Sequence, residues 1–474
     1  MEAHPLYIDG RWRSTGAVSR IVNPYTHEPV GEVHQASPAD IHDAIRAASK
    51  AFDSTRRLQA FERTAILGRI SDGIAARREE CARLITRETG KPIQFSRAEV
   101  ERSIFTFRVA AEEAGRMEGS VLPLDLAPHS AGRTGFIRHF PIGPIAAITP
   151  FNFPLNLVAH KVAPAIASGN PVVLKPSSAA PLTALLLSKI VEESGIPGGA
   201  LNTVVCKSND AEQLIVSNDV RLISFTGSPQ VGWSLKSKAG KKKVTLELGG
   251  NAAVIVDAGI DVSKIVRRIA MGSFGNAGQS CIAVQRILVH NTLLAPFTDT
   301  FIEETGRIVV GDPGKDETVV GPMITESAAI KVEGWINDAI KAGARLLWGG
   351  KREGAVLAPT VLTDVNTTMN VCAEEVFAPV VTIEGFGSFS QAVAMVNDSK
   401  YGLQAGLFSD SMSHVLEAYE SLEVGGVVIN DYPTFRIDHM PYGGVKDSGF
   451  GREGIRYAMA EMTEPRLLVL SSSG

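Results

Sequence analysis

From residue 144 onward, short apolar, β-branched runs alternate with stretches of helical periodicity, the patterns of buried strands and of helices that bury one face. Strands are predicted over 145–149, 171–175, 202–206, 222–225 and 243–247. Between them helices are predicted over 154–168, 181–194, around 211–216 and from Pro229, with Gly169-Asn170 and Gly195 stopping the first two. Strand–helix units repeated in this way predict a parallel sheet with helices on both faces.

A second series follows Asn251, with a helix over 262–275, a strand over 286–290, a long helix over 324–342 and a strand over 425–430. Ahead of both series, 40–56 and 62–89 read as two long amphipathic helices. Segments 122–138 and 464–470 read as strands outside either main sheet. The terminal one is apolar, and such an edge needs a partner, which another subunit can supply. No repeat or low-complexity tract is visible, and 474 residues exceed what one core organises, so two or three domains are expected.

Composition narrows the function classes. Charged residues make up 21% and the formal net charge is −4, which gives no general attraction to nucleic acid or to an anionic membrane. The run Lys241-Lys242-Lys243 is too short to change this and fits a solvated connection. Met1-Glu2-Ala3-His4-Pro5 lacks a basic stretch followed by an apolar core, so no secretory signal is read. No apolar run approaches the roughly 18 residues of a membrane span. The cysteines, Cys81, Cys206, Cys281 and Cys372, lack the paired spacing of a zinc site or a disulfide framework. No metal is expected, and the simplest location is the reducing cytoplasm.

One cysteine is set apart by its surroundings. Cys281 closes Gly278-Gln279-Ser280-Cys281, Glu247 lies in Leu246-Glu247-Leu248-Gly249-Gly250, and Asn152 in Thr149-Pro150-Phe151-Asn152-Phe153-Pro154. Each alone has a plainer reading: a buried apolar thiol, a capped strand end, a turn. Jointly, a thiol, a carboxylate and an amide in glycine-rich, apolar settings supply what covalent aldehyde oxidation needs. The thiol attacks the carbonyl, the amide holds the oxyanion, and the carboxylate activates the water that releases the acid.

Two segments compete as phosphate cradles. Gly449-Phe450-Gly451-Arg452-Glu453-Gly454 matches the dinucleotide fingerprint letter for letter, but it follows a polar stretch rather than a strand, so a structural glycine turn is expected. Phe225-Thr226-Gly227-Ser228 joins a strand to a helix, where Gly227 permits close approach and the helix offers free N–H groups. Lys175, in Lys175-Pro176-Ser177-Ser178, ends a neighbouring strand at the edge where open α/β sheets bind ligands. Together they point to a dinucleotide.

Carrying these motifs, with Glu375-Val376-Phe377-Ala378-Pro379 and Pro441-Tyr442-Gly443-Gly444, the chain resembles the aldehyde dehydrogenase superfamily over nearly its whole length. The resemblance implies an α/β fold of two doubly wound domains plus a small β oligomerisation element. The dinucleotide-binding domain would span 1–122 and 142–248, the catalytic domain 249–440, the oligomerisation hairpin and strand 123–141 and 460–474, and a connecting segment 441–459. It implies Cys281 as nucleophile, Glu247 as general base and Asn152 as oxyanion donor. It implies cofactor contacts from Thr149, Pro150, Phe151, Lys175, Ser177, Ser178, Phe225, Gly227, Ser228, Leu248, Gly249, Glu375 and Phe377. Phe151 stands where many members have Trp, and Ala378 where many have Gly; neither removes a chemical group. Homodimers or homotetramers are usual.

Many NAD-preferring relatives carry Glu three residues after the ribose-binding Lys; here that residue is Ser178, so NADP is expected to be accepted as well as NAD. Arg436, just ahead of Pro441, is a charged lining for a substrate tunnel, and Arg102, His160 and Ser280 are expected near the same entrance. The pattern is similar to lactaldehyde, succinate-semialdehyde and non-phosphorylating glyceraldehyde-3-phosphate dehydrogenases, implying a short hydroxylated or anionic aldehyde. Against this, Arg436 can simply pair with Asp438 or a helix carboxylate, and Arg102 can be a surface side chain. The rivals are a CoA-acylating aldehyde dehydrogenase, in which Glu247 is typically missing, and a catalytically silent structural protein of the same fold.

Overall fold

The computed structural model describes residues 2–207 and 209–471; Met1 and residues 472–474, at the outer limits of the expected domain spans, lie outside the described residues. An eight-stranded sheet runs in the order Arg11–Arg13, Leu6–Ile8, Leu201–Thr203, Val172–Lys175, Ile145–Ile148, Leu222–Thr226, Lys243–Glu247, Gly449–Phe450. From Leu201–Thr203 to Lys243–Glu247 its strands are parallel, and both flanks are antiparallel. Ile145–Ile148 and Val172–Lys175 are buried throughout, as strands under helices on both faces are, the second ending in Lys175 after three apolar residues. One apolar layer joins the helices Ala60–Ala76, Ile93–Ala114 and Asn156–Ser168, and Pro38–Thr55 builds the other.

The winding positions the site. From Ile145–Ile148 the chain steps outward through Val172–Lys175 to Leu201–Thr203, then crosses back to pair Leu222–Thr226 on the other side of its starting strand. Strand order that reverses in this way opens a crevice at the carboxyl ends. A seven-stranded sheet lies in the order Arg345–Trp348, Thr360–Thr363, Val380–Phe386, Arg286–His290, Ala253–Val256, Gln404–Phe408, Gly426–Ile429. The Cys281 loop precedes its strand Arg286–His290. A separate antiparallel sheet takes Thr463–Ser471, Arg133–Pro141 and Ser120–Pro123.

The sequence reading is corrected in several places. The single helix expected over 62–89 is two, Ala60–Ala76 and Arg78–Thr89, broken at Arg77 with φ −111° and ψ 23°. Both halves feed one core with Ile93–Ala114, so the apolar period runs on through a bend that periodicity does not register. The strand expected over 202–206 is Leu201–Thr203. Leu6–Ile8, the helix Ile93–Ala114 and the central strands Ala253–Val256, Val380–Phe386 and Gln404–Phe408 were not assigned from the pattern. Gly449 to Gly454 begins as an antiparallel edge strand and ends at the start of the short helix Ile455–Glu461. Gly449–Phe450 pairs with Leu246 and Glu247, and a Cβ on Gly449 would fall 2.6 Å from the Leu246 carbonyl oxygen.

Candidate active site

Cys281 follows a run of left-handed backbone: Asn276, Ala277 and Gly278 have φ of 55°, 54° and 65°, which only glycine adopts freely. A Cβ on Gly278 would meet the Ala378 carbonyl oxygen at 2.2 Å. Gln279 holds the turn, its Nε2 donating to the Asn276 and Pro322 carbonyls and its Oε1 accepting from the Ile324 N–H at 2.9 Å. Strain maintained by such anchoring is a property of loops that present a side chain. The loop presents Cys281 to a cavity of about 470 Å³ lined from both large sheets.

Asn152 and Glu247 line the same cavity. Asn152 Nδ2 donates to the Gln279 carbonyl at 3.1 Å and engages no other acceptor among the described residues. The Cys281 backbone N–H likewise donates to no carbonyl there. Two N–H donors thus remain for a substrate oxygen. Glu247 ends the strand Lys243–Glu247, is 3% exposed, and neither carboxylate oxygen has a hydrogen-bond partner among the described residues. Burial, and then the neighbouring Glu453 charge, push its pKa well above the usual carboxylate range, as expected for a carboxyl without compensating bonds. Burial pushes the Cys281 thiol up to about 11, opposed by a hydrogen bond with Tyr442.

Toward the first sheet the cavity is walled by Pro150, Phe151, Gly227, Ser228, Leu248 and Gly249, with Glu375 and Phe377 opposite. Phe151 and Phe377 meet edge to face, their centroids 6.0 Å apart. Glu375 lies so close over Gly249 that a Cβ there would fall 2.2 Å from its Oε2. Burial raises the Glu375 pKa to about 7, with only the Gly250 N–H opposing it. Thr149, Lys175, Ser177, Ser178 and Phe225 lie outside this cavity, on the carboxyl edge of the parallel strands and the turns that follow. Among the described residues Lys175, 7% exposed, finds only the Pro176 carbonyl, and the buried hydroxyls of Thr149 and Thr226 have no partner. An unpaired cation and orphaned hydroxyls along a glycine-lined edge fit an anionic, hydroxyl-rich ligand.

The expected substrate groups do not all converge. Ser280, Arg102 and Arg436 line the cavity; His160 does not. His160 is fully buried behind Asp438, with its Nε2 2.7 Å from that carboxylate. Burial, then the Arg436 charge, lower its pKa. Asp438, although burial opposes it, is held well below the usual range by His160 and Arg102. Arg102 grips Asp438 at 2.7 Å but keeps 29% of its side chain exposed. Arg436 departs from the expectation of a free cation: its ion pair is with Glu453 at 3.0 Å, and Lys161 holds the other Glu453 oxygen at 2.9 Å. The Arg436 Nε is buried without a hydrogen-bond partner among the described residues. Arg102 therefore faces Asp438, and Arg436 and Lys161 both face Glu453.

Sequence reasoning missed Tyr442, whose hydroxyl is 3.1 Å from Cys281 Sγ, and the buried Lys161–Glu453 pair. Lys161 had a signal, since it interrupts an apolar helix that is buried along its whole length. Among the described residues no group of acidic, His and Cys side chains could hold a metal ion, and no helix is long and apolar enough to cross a membrane.

A family model described as the aldehyde dehydrogenase family matches residues 12–468. The 3-sulfolactaldehyde dehydrogenase of Priestia aryabhattai is 44% identical, covering 99% of this chain and 98% of its own. Aldehyde dehydrogenase 21 from Physcomitrella patens, solved with the reaction product succinate, superposes with a TM-score of 0.98 at 42% identity, over 99% of this chain and 98% of its own. A glyceraldehyde-3-phosphate dehydrogenase from Methanocaldococcus jannaschii, solved with NADP, has a TM-score of 0.93 at 40% identity, over 97% and 100%.

Proposed function

The chain belongs to the aldehyde dehydrogenase family, and we propose that it oxidises a short aldehyde with an anionic or hydroxylated end to the carboxylic acid, using NADP or NAD and releasing the acid by hydrolysis. The observation that carries the substrate class is the Arg102 guanidinium at the cavity wall, 29% exposed although paired with Asp438. Sulfolactaldehyde and glyceraldehyde 3-phosphate, named for two relatives, are short and anionic at one end, and succinate, the product named for a third, is a short dicarboxylate.

The chemistry starts at Cys281. Its thiolate adds to the aldehyde carbon, and the oxyanion of the thiohemiacetal accepts from the Asn152 amide and the Cys281 backbone N–H. A nicotinamide dinucleotide, when bound, supplies the hydride acceptor; Lys175, Glu375, Ser228 and the Gly227 and Gly249 backbone would hold it. Loss of hydride leaves a Cys281 thioester. Glu247 then takes a proton from the attacking water, and the acid leaves. The buried, unpartnered Glu247 carboxyl supports hydrolysis over transfer to CoA.

The direct test compares succinate semialdehyde and propanal, with and without CoA. We expect cofactor reduction with acid release and no CoA requirement. Arg102→Gln should lower kcat/KM for the anionic aldehyde by about 10- to 100-fold, the effect of losing a charge-assisted hydrogen bond of roughly 1.5–3 kcal/mol, and leave propanal within about twofold. Equal losses for both would remove Arg102 from substrate recognition.

A further inference from the structure

The Tyr442 hydroxyl, 3.1 Å from Cys281 Sγ, has no other hydrogen-bond partner among the described residues. The residue is 3% exposed. Its backbone is clamped to Glu453: the Tyr442 N–H donates to the Glu453 carbonyl at 3.0 Å, and its carbonyl accepts from the Glu453 N–H at 2.7 Å. The face of the ring is covered by the Arg436 guanidinium, 3.6 Å from the centroid. The Glu453 carboxylate bonds that same guanidinium and is braced by Lys161, which also donates to Ser224 at 3.0 Å. One residue thus fixes the ring through its backbone and the cation above it through its side chain.

This geometry makes the phenol a donor. Burial, then the neighbouring thiol, raise its pKa well above the usual value, so it keeps its proton. A cation against the π face draws density from the ring and strengthens the O–H as a donor. The charged or titratable groups facing the Cys281 sulfur are Glu375 and Glu247, which disfavour a thiolate, and Tyr442 and Arg436, which favour one. Of these, Tyr442 alone is within hydrogen-bond reach.

We propose that Tyr442 is a catalytic residue whose hydroxyl donates to the Cys281 sulfur and stabilises its thiolate, and that Arg436, stacked on the ring, is a positioning residue acting through it. In the step concerned the S–H bond breaks, the electron pair stays on sulfur and the proton passes to solvent; the phenol keeps its own. The proposal rests on the reading of Cys281 as the nucleophile.

Tyr442→Phe removes only the oxygen and retains the stack on Arg436. The measurement is the rate of Cys281 alkylation by iodoacetamide as a function of pH, with Cys281→Ala as the blank for Cys81, Cys206 and Cys372, which are buried. We expect the variant's profile to move up by about one pH unit or more, with an approximately tenfold slower reaction at pH 7.5, the scale of one charge-assisted hydrogen bond. Superimposable profiles would overturn the role of Tyr442 while leaving Cys281 as nucleophile. Wild-type alkylation no faster than the Cys281→Ala blank at every pH would instead overturn the nucleophile reading, and this proposal with it.

Discussion

At the scale of single residues, Cys281, Glu247 and Asn152 were legible because each is an unusual chemical type in a glycine-rich or apolar frame, and the structure brings all three to one cavity. Arg436 was not, because its partner is a tertiary fact: nothing local says that Glu453, rather than Asp438, takes the guanidinium. Glu247 carries the first prediction. A base must be ionised to accept a proton, and its raised pKa means that this form grows as pH rises above the ordinary carboxylate range, so deacylation should accelerate with rising pH in the wild type. Glu247→Gln should flatten that rise and lower steady-state turnover by about 10²–10⁴-fold, while a burst of reduced cofactor persists. Loss of the burst along with turnover would assign Glu247 to activating Cys281 instead. Ser178 carries the second. Its hydroxyl is exposed and donates to the Cys206 carbonyl at 3.1 Å, so the position holds no negative charge. Ser178→Glu should raise the KM for NADP about tenfold, the effect of roughly 1.4 kcal/mol, with little change for NAD; parallel changes for both cofactors would place Ser178 away from the 2′-phosphate.

Among the elements, two buried helix starts show how one residue type acts differently with and without a cation. Glu99 accepts from the Leu155 and Asn156 N–H groups at 2.8 and 3.1 Å and pairs with Lys91 at 2.5 Å. Glu88 accepts from the Leu182 and Thr183 N–H groups at 2.9 and 3.0 Å and has no cation partner among the described residues, and burial raises its pKa to about 7. Both satisfy donors that the helix leaves open, from far away in sequence, which is why the helix over 154–168 was legible and its cap was not. Glu99→Gln should cost about 3–5 kcal/mol in urea denaturation, because Lys91 is left charged and buried; a cost below about 1 kcal/mol would mean that Lys91 deprotonates or finds another partner. Glu88 sets a pH dependence. Its folded pKa lies above its unfolded value, so its contribution is full below about pH 4.5 and is lost as pH rises through about 7. The wild-type Tm should fall across that window, and the fall should be smaller in Glu88→Gln; an equal fall in both would assign the slope to other groups.

For the whole molecule, the doubly wound character was readable from alternating runs because parallel strands buried on both faces must be largely apolar, as Ile145–Ile148 and residues 172–174 are. The antiparallel additions, Leu6–Ile8 and Gly449–Phe450, were not, since their partners lie about two hundred residues away. The terminal strand is the informative exception. Thr463–Ser471 does pair, with Arg133–Pro141, yet it remains the edge of its sheet. Leu467, Leu468, Val469 and Leu470 are 51%, 57%, 46% and 50% exposed, and Val121 across the same sheet is 64%. Consecutive residues point to opposite faces, so both faces of this strand present apolar surface to water, and its outer edge presents unpaired backbone. Strands left in this state associate, which supports a homodimer or homotetramer assembled through this sheet. Leu468→Glu places a charge where a partner strand or face would bury it. It should shift the protein toward smaller species by light scattering at micromolar concentration, with the monomer fold retained by circular dichroism. An unchanged mass would move the subunit contact away from the terminal strand.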